Sequence, residues 1–224
     1  MTRGYYSKHL SAHRLRTCYE ISPPRVQQYL AAEIEHVLSR ICPRDTVLEL
    51  GCGYGRVLRP LAAKAATVVG IDTSRSSLRL ARKTLAHLSN CWLAEMNALM
   101  LGFRERAFDV VVCIQNGISA FGVDRRALLA ESMRVTRAGG TVLFSSYSEK
   151  FWSERLEWFR LQAEHGLLGE VDWDATRAGV IVCKDGFRAT TVSPDEFLSL
   201  ALALNVRAHI VEVDRSSLFC ELAV

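Results

Sequence analysis

The sequence predicts an α/β protein built on a doubly wound, mostly parallel sheet, and three stretches carry that prediction. The apolar run Thr46–Leu50 is typical of a strand buried on both faces, and it ends in glycines at 51, 53 and 55. A second such run, 67–71, ends at Asp72, and a third, 108–114, is almost wholly apolar. A strand, a glycine-rich turn and a helix in succession form the opening unit of a doubly wound sheet.

The totals describe one ordinary globular domain spanning residues 1–224. The 224 residues are 49% hydrophobic and 23% charged, with a formal net charge of +4. No basic tract marks a nucleic-acid binder, and no apolar run reaches the ~18 residues that span a membrane. The seven cysteines include no Cys-x-x-Cys pair and no zinc-type spacing with histidine. We therefore expect no metal and a reducing, cytoplasmic setting, since the first 13 residues do not resemble a signal peptide.

The N-terminal segment, residues 1–42, is predicted to be helical and to precede the sheet. Its first 20 residues are basic and aromatic, with apolar spacing that fits a short helix. A second helix is predicted to begin at Pro24, with Ser22 as its cap, and to stop before Pro43.

The residues around the glycines distinguish two kinds of ligand. A dinucleotide fingerprint reads Gly-x-Gly-x-x-Gly, and here Arg56 occupies the place of its last glycine. Glu49, at the strand end, would repel a phosphate but suits a ligand that bears an ammonium or a sulfonium. The pattern Glu49-x-Gly51-x-Gly53-x-Gly55 resembles motif I of the class I (Rossmann-like) S-adenosylmethionine-dependent methyltransferases.

This resemblance covers the chain from about residue 37 onward and implies both a fold and a cofactor. The fold would be a seven-stranded, mostly parallel sheet with an antiparallel last strand, and the cofactor would be S-adenosylmethionine. In the first turn, the implied cofactor contacts are Glu49, Gly51, Cys52 and Gly53.

The resemblance also gives the N-terminal segment a possible role, because in this family a segment with paired tyrosines often folds over cofactor and substrate as a lid. The acceptor-pocket candidates in this segment are Tyr5, Tyr6, His9 and His13. The alternative is an aromatic helix that simply packs on the domain.

Asp72 is the candidate for ribose binding. It lies about twenty residues past the glycine turn, where a nucleoside-binding fold places an acid against the ribose hydroxyls. The run Ile71-Asp72-x-Ser74 resembles the family's second motif, which implies contacts from Asp72 and its neighbour Thr73. The alternative is that Asp72 caps the following helix, predicted over 74–88, whose arginines we interpret mainly as a solvated face.

The exits of the next two strands complete the predicted cofactor site. In the family, an acidic residue followed by alanine contacts the adenine amine; here Asn97 and Ala98 hold those positions, and Met96 can pack on the ring. Gln115 and Asn116 leave the fourth strand at the switch-point crevice, where the methionine part of the family's cofactor faces the acceptor. The alternative at both exits is a plain turn.

The second half of the chain predicts the rest of the sheet and an insertion. The predicted elements are a helix at 125–136, a turn at 137–140, a strand at 141–146, a helix at 151–165, a hairpin insertion at 166–192, a helix from Ser193 and two final strands. Tyr147 is expected to face the crevice. The residues expected on the inner face of helix 151–165 are Trp152, Leu156, Phe159 and Ala163. Earlier in the chain, the helix after the glycines is predicted over 54–64 and should bend or lose a bond at Pro60.

Together these patterns predict a methyltransferase that transfers a methyl group to a small molecule by in-line displacement. Because the cofactor carries the reactive group, the protein supplies alignment more than acid–base chemistry, and no catalytic residue is assigned. The predicted lid and hairpin favour an enclosed pocket. The alternatives are a methyltransferase acting on RNA or protein, a module that binds the cofactor without transfer, and, least favoured, an NAD-dependent oxidoreductase. Neither the acceptor nor the oligomeric state follows from these residues.

Overall fold

The computed structural model describes Tyr5, residues 9–177 and residues 179–224. The described chain forms a seven-stranded sheet and a two-stranded hairpin. The sheet strands are β1 Thr46–Leu50, β2 Thr67–Asp72, β3 Cys91–Glu95, β4 Phe108–Cys113, β5 Thr136–Tyr147, β8 Ala208–Val213 and β9 Ser217–Ala223, and the hairpin strands are β6 Ile181–Val182 and β7 Arg188–Ala189. The helices include α1 His13–Glu20, α2 Pro24–Ser39, α3 Leu58–Lys64, α4 Arg75–Thr84, α5 Gly117–Ala120, α6 Arg125–Val135, α7 Trp152–Glu164 and α8 Pro194–Leu202, with a 3-10 turn at Glu149–Phe151.

The strand order of the sheet is β3-β2-β1-β4-β5-β9-β8. Strands β3, β2, β1, β4 and β5 pair in parallel, whereas β9 is antiparallel to both β5 and β8. The predicted doubly wound sheet with its antiparallel strand is therefore confirmed. The chain direction across the sheet reverses between β1 and β4, so a ligand crevice is expected at the carboxyl ends of these two strands.

The sheet is covered on both faces because successive residues of each strand point to opposite sides. On one face, Leu48 belongs to a buried cluster that includes Leu128 of α6 and Phe197 of α8. On the other face, the adjacent Val47 packs in a cluster with Val37 of α2 and Leu61 of α3. All six side chains are fully buried.

A third apolar cluster lies outside these two layers and joins residues 10–18 to α2, α7 and the insertion. Leu10 and Cys18 share it with Tyr29, Trp158 and Phe187. The indole Nε1 of Trp158 donates to the Cys18 carbonyl oxygen at 2.8 Å, which fixes α7 against α1. Helix α1 is thereby anchored to the rest of the folded domain.

Two predictions about helix starts are wrong. The helix after the glycines begins at Leu58 rather than 54, so Pro60 lies in its first turn. Backbone N–H groups in a first turn have no partner inside the helix, so the proline leaves α3 intact. Ser22 does not cap α2: Pro23 holds the cap position, and the Ser22 hydroxyl donates to the Tyr19 carbonyl oxygen instead.

Other local signals predicted their elements more closely. Ser193 caps α8 by accepting from the Glu196 backbone N–H at 3.2 Å, with Pro194 at the first helical position. The insertion does form a hairpin, shorter than predicted, whose turn contains Gly186 at a φ of 90°. Helix α4 ends at Thr84, before the predicted residue 88. Among the residues that the structure describes, no helix is both long enough and apolar enough to cross a bilayer.

The turn predicted at 137–140 appears as an irregularity within β5. Phe108 pairs with Thr136 but Val110 pairs with Thr141, so residues 137–140 all lie opposite Asp109. Gly140 passes close to this residue: a Cβ built on Gly140 would lie 2.7 Å from the Asp109 carbonyl oxygen and 2.7 Å from the Thr136 side chain. Backbone atoms of a paired strand cannot move aside easily, so only glycine fits there.

We therefore predict that Gly140→Ala lowers the free energy of unfolding by about 1–3 kcal/mol, the usual range for overpacking. The matched control is Gly102→Ala, whose added methyl would meet its nearest atom, Met96 Cε, at an ordinary 3.5 Å. Urea denaturation of both variants checks the prediction. Equal midpoints for the two variants would contradict the steric account of this irregularity.

Candidate functional site

A cavity of about 360 Å³ opens at the carboxyl ends of β1, β2 and β4. Such a volume is within the range of small-molecule sites. One end of the cavity is formed by the loops that follow these strands, and the other by side chains of α1 and α7. Within the described part of the chain, no group of three or more His, Cys, Asp or Glu side chains is placed to hold a metal ion.

The glycine-rich loop after β1 forms the floor of the cavity. Gly51, Gly53 and Gly55 have φ values of 71°, 54° and 86°, which other residues adopt only with strain. A Cβ on Gly51 would lie 2.6 Å from the ring of Phe121. The loop is tied to β2 because the Cys52 backbone N–H donates to the Ile71 carbonyl oxygen at 2.9 Å. Gly51, Cys52 and Gly53 all line the cavity, which brings these three predicted site residues together.

Asp72, at the end of β2, holds the loop in place and also lines the cavity. Its Oδ2 accepts from the Gly53 backbone N–H at 2.8 Å, and its Oδ1 accepts from the Ser74 backbone N–H at 2.7 Å. Burial raises the pKa of Asp72, although these backbone donors oppose the rise. Each carboxylate oxygen has a further lone pair, so the group can still accept from a ligand. Ser74, not Asp72, caps α4 through its side chain.

Glu49 faces the same cavity from the end of β1. Its side chain is 4% exposed, and its Oε2 has no hydrogen-bond partner among the described residues. Burial raises the pKa of Glu49 to about 8; the charge of Arg56 opposes this shift and that of Asp72 adds to it. The ligand-free carboxyl is therefore largely protonated at neutral pH. A cation brought against it would favour the ionised form.

The residues after β2 and β3 line the cavity beside Asp72: Thr73, Met96, Asn97 and Ala98. Asn97 is exposed, and its Oδ1 accepts from the Leu99 backbone N–H at 3.0 Å. The Met96 Sδ accepts from the Gly102 backbone N–H at 3.3 Å. These local bonds set the shape of the exit turn and leave the Asn97 amide nitrogen at the surface of the cavity.

Gln115, which follows β4, reaches the cavity in a strained conformation. Gln115 and Asn116 both have left-handed backbones, with φ values of 56° and 59°. The Gln115 backbone N–H donates to Glu33 Oε2 at 3.0 Å, and its Oε1 accepts from the Tyr19 hydroxyl at 2.8 Å. The Gln115 Nε2 is buried without a hydrogen-bond partner among the described residues.

Asn116 differs from its neighbour and does not line the cavity. Its Nδ2 donates to the Thr190 carbonyl oxygen at 2.8 Å, and its Oδ1 accepts from the Ser146 hydroxyl at 2.9 Å. Both ends of the amide thus fasten the exit of β4 to β5 and to the chain after the hairpin. The Asn116 side chain therefore has a structural role, and its contact with the cofactor stays a prediction.

Only some of the acceptor-pocket candidates reach the cavity. Tyr5 and Tyr147 line it, whereas His9 and His13 are exposed and do not. The Tyr5 hydroxyl donates to the Asp185 carboxylate in the insertion. Tyr6 lies outside the described residues.

Helix α1 contributes side chains to the cavity wall, and its role as a lid stays a prediction. Leu15 and Tyr19 line the cavity from this helix, and Leu15 Cδ2 approaches within 3.0 Å of a Cβ built on Gly53. The start of α1 is tied to α4, because the Ala12 backbone N–H donates to the Ser77 hydroxyl at 2.9 Å.

The inner face of α7 is rotated from the one predicted. Phe159 is buried as expected, but Trp152, Leu156 and Ala163 are only partly buried. The buried face is instead formed by Arg155, Trp158, Phe159 and Gln162. A hydrophobic pattern could not reveal this, because Arg155 is buried by stacking on aromatic rings, with its guanidinium 4.5 Å from the centre of the Tyr147 ring.

The cavity also includes residues that the sequence patterns did not single out as ligand contacts. Among them are Leu15, Tyr19, Arg56, Phe121, Trp158, Phe159 and Gln162. In the sequence, Arg56 stands one residue past the glycines. That position indicated only a departure from the dinucleotide fingerprint. Its guanidinium lies 4.9 Å from the centre of the Tyr19 ring.

The protein has a Rossmann-like α/β fold, with a cavity at the switch point of its sheet. The model of the family described as "Methyltransferase domain" matches residues 47–140, a span that contains the glycine loop, Glu49 and Asp72. This segment of the chain is therefore similar to the domains of that family.

The chain also resembles individual proteins, in sequence over part of its length or in fold over nearly all of it. The ubiquinone biosynthesis O-methyltransferase of Nitrosomonas europaea is 29% identical over 131 residues, which are 57% of this chain and 52% of that protein. The chain thus matches about half the length of this curated relative. The PH0226 protein of Pyrococcus horikoshii OT3 shares the fold with a TM-score of 0.69 and 20% identity, over 100% of this chain and 99% of that one. The DhpI–SAM–HEP complex shares it with a TM-score of 0.67 and 23% identity, over 99% of each chain.

The burial of Glu49 predicts a stability effect in the ligand-free protein. Because its folded pKa of about 8 lies above the unfolded value of 4.5, wild-type stability falls as the pH rises between these values. Glu49→Gln does not titrate, so its melting temperature should exceed that of the wild type, with a gap that widens from pH 5 to pH 8. The free energy of unfolding of the wild type falls by at most about 1.4 kcal/mol per pH unit. In a chain of this size, each kcal/mol changes the melting temperature by ~2–4 °C.

Differential scanning calorimetry across this pH range checks the prediction. The exposed Glu35, changed to Gln, is the matched control and should follow the wild-type curve. A constant or narrowing gap for Glu49→Gln would show that the buried carboxyl ionises freely.

Proposed function

We propose that the protein binds S-adenosylmethionine in this cavity and transfers its methyl group to a small-molecule acceptor. The observation that carries the proposal is that Glu49 and Asp72 face one cavity across the glycine loop. When bound, the cofactor supplies an electrophilic methyl on a sulfonium, and the protein supplies alignment and surroundings.

Each cavity group at the cofactor end has a part of that ligand to hold. Asp72 has free lone pairs on both oxygens and can accept from the two ribose hydroxyls while it keeps Gly53 in place. The unpartnered Oε2 of Glu49 suits the ammonium of the amino-acid end or the sulfonium. This orphaned acceptor is the structural sign that the site fits a cationic ligand.

The exits of β2 and β3 suit the adenine. Met96 offers a polarisable side chain for the face of the ring, and Asn97 offers an amide for its edge. Thr73 and Ala98 complete this part of the wall. On the methionine side, Gly51, Cys52 and Gly53 let the ligand approach the backbone, with Gln115 opposite them.

A small acceptor is supported by the shape of the other end of the cavity. Tyr5, Tyr147, Trp158 and Phe159 form an aromatic wall there, and α1 covers the cavity. An enclosed aromatic chamber suits a small, flat organic molecule better than an RNA or protein chain. One relative, by its name, methylates oxygen in the biosynthesis of ubiquinone, which agrees with an acceptor of that size.

We predict that Asp72→Asn weakens S-adenosylmethionine binding by about 1–3 kcal/mol, because it removes charge-assisted hydrogen bonds. The matched control is Asp45→Asn. Asp45 also accepts a backbone N–H, from Cys42 at 2.7 Å, but it precedes β1 at the opposite edge of the sheet. Titration calorimetry gives both affinities. The ribose assignment fails if Asp72→Asn binds within twofold of the wild type.

Methyl transfer itself is tested by turnover. Wild-type protein with S-adenosylmethionine should release S-adenosylhomocysteine in the presence of at least one member of a panel of small phenols, quinols and aromatic acids, and Asp72→Asn should be slower at subsaturating cofactor. Product detected only with RNA or protein acceptors would overturn the small-molecule assignment. Tight binding of S-adenosylmethionine with no turnover of small molecules, RNA or protein would indicate a cofactor-binding module.

A further inference from the structure

Two side chains on the cavity wall carry buried N–H donors that no described group accepts. They are Nε and Nη2 of Arg56 and Nε2 of Gln115. Both residues line the cavity. A buried donor left unpaired is destabilising, and more so when it is charged. Such donors are expected where a ligand supplies the missing acceptor.

Both donor side chains contact Tyr19. The Arg56 guanidinium lies over the ring of Tyr19, and the hydroxyl of Tyr19 donates to Gln115 Oε1. That bond occupies the oxygen of the Gln115 amide and leaves its nitrogen as the end that can bind a ligand. Glu33 fixes the Gln115 backbone through its N–H.

The nearby carboxyl of Glu49 does not neutralise the positive charge of the Arg56 guanidinium. Burial raises the pKa of Glu49 to about 8, even though the charge of Arg56 opposes that shift. At neutral pH a ligand-free cavity therefore holds a cationic guanidinium beside a mostly neutral carboxyl. A ligand group with one negative charge would therefore be balanced by the Arg56 guanidinium.

At the acceptor end of the cavity, the described side chains Tyr147 and Cys18 hold their protons at neutral pH. Burial raises the pKa of both Tyr147 and Cys18 to about 12, and both line the cavity. The candidates His9 and His13 do not line it. An acceptor that is already ionised in water avoids the need for a base.

We propose that Arg56 and Gln115 form a subsite for a carboxylate or similar oxyanion, an inference that rests on the proposed function. Two groups have this chemistry: the acid group of an acidic acceptor and the carboxylate of the cofactor's amino-acid end. An oxyanion acceptor needs no proton transfer. Its oxygen forms the new O–CH₃ bond, the C–S bond breaks with its electron pair going to sulfur, and a neutral ester or ether leaves with the thioether.

The test is titration calorimetry with Arg56→Gln and three probes: S-adenosylhomocysteine, 5′-methylthioadenosine, which lacks the amino-acid end, and benzoate added to protein saturated with S-adenosylhomocysteine. The matched control is Arg59→Gln, an exposed arginine on α3 outside the cavity. Retained binding of methylthioadenosine shows that the variant's site is folded. Arg56→Lys, which keeps the charge but loses the fork, should fall between wild type and Arg56→Gln.

The outcomes distinguish the two groups that could occupy the subsite, the carboxylate of the cofactor and the acid group of the acceptor. If the subsite takes the cofactor carboxylate, Arg56→Gln loses ~10–100-fold for S-adenosylhomocysteine and nothing for methylthioadenosine. If it takes the acceptor, both nucleosides bind as in the wild type and benzoate loses ~10-fold or more. Binding of all three probes within twofold of the wild type overturns the subsite alone. Wild-type protein that binds neither nucleoside refutes the proposed function and the subsite with it.

Discussion

The hydrogen bond from the Gly53 backbone N–H to Asp72 Oδ2, 2.8 Å long, is the interaction on which the site depends. It joins the first β-to-α turn to the end of the neighbouring strand. The turn can come this close because its three glycines adopt positive φ values, and because the Cys52 N–H bonds to the Ile71 carbonyl oxygen beside it. With the loop held down, Glu49 and Asp72 face one cavity and α1 can close over it.

The cavity concentrates groups that reduce the stability of the folded chain. Glu49 is a carboxyl buried without a full set of partners, and Arg56 has unpaired donors. Gln115 holds a left-handed backbone that its neighbours must enforce. Glu33 provides that support: it is fully buried, accepts from the Gln115 N–H through Oε2, and accepts from the Ser217 hydroxyl through Oε1 at 2.6 Å. Strain and unpaired groups of this kind persist at sites that bind ligands.

The parts of the structure that the sequence predicted well depend on neighbouring residues. The glycine loop, the strands that flank it and the Ser193 cap all follow from spacing within about ten residues, so the pattern is sufficient. Helix α7 shows where spacing fails. Its buried face includes Arg155 and Gln162, because aromatic rings from other elements and the cavity itself surround them. The structural role of the Asn116 side chain could not be predicted for a similar reason: its partners, Thr190 and Ser146, are distant in sequence.

The central claim is that a cationic nucleoside ligand meets the buried carboxyl of Glu49 across the loop that Asp72 holds. Calorimetric titration of S-adenosylmethionine at pH 7, in two buffers of different ionisation enthalpy, tests it most directly. Since the ligand-free pKa of Glu49 is about 8, binding a cation should expel its proton, and wild-type protein should release more protons per bound ligand than Glu49→Gln. Equal proton release by the two proteins, or wild-type affinity in the variant, would contradict the account.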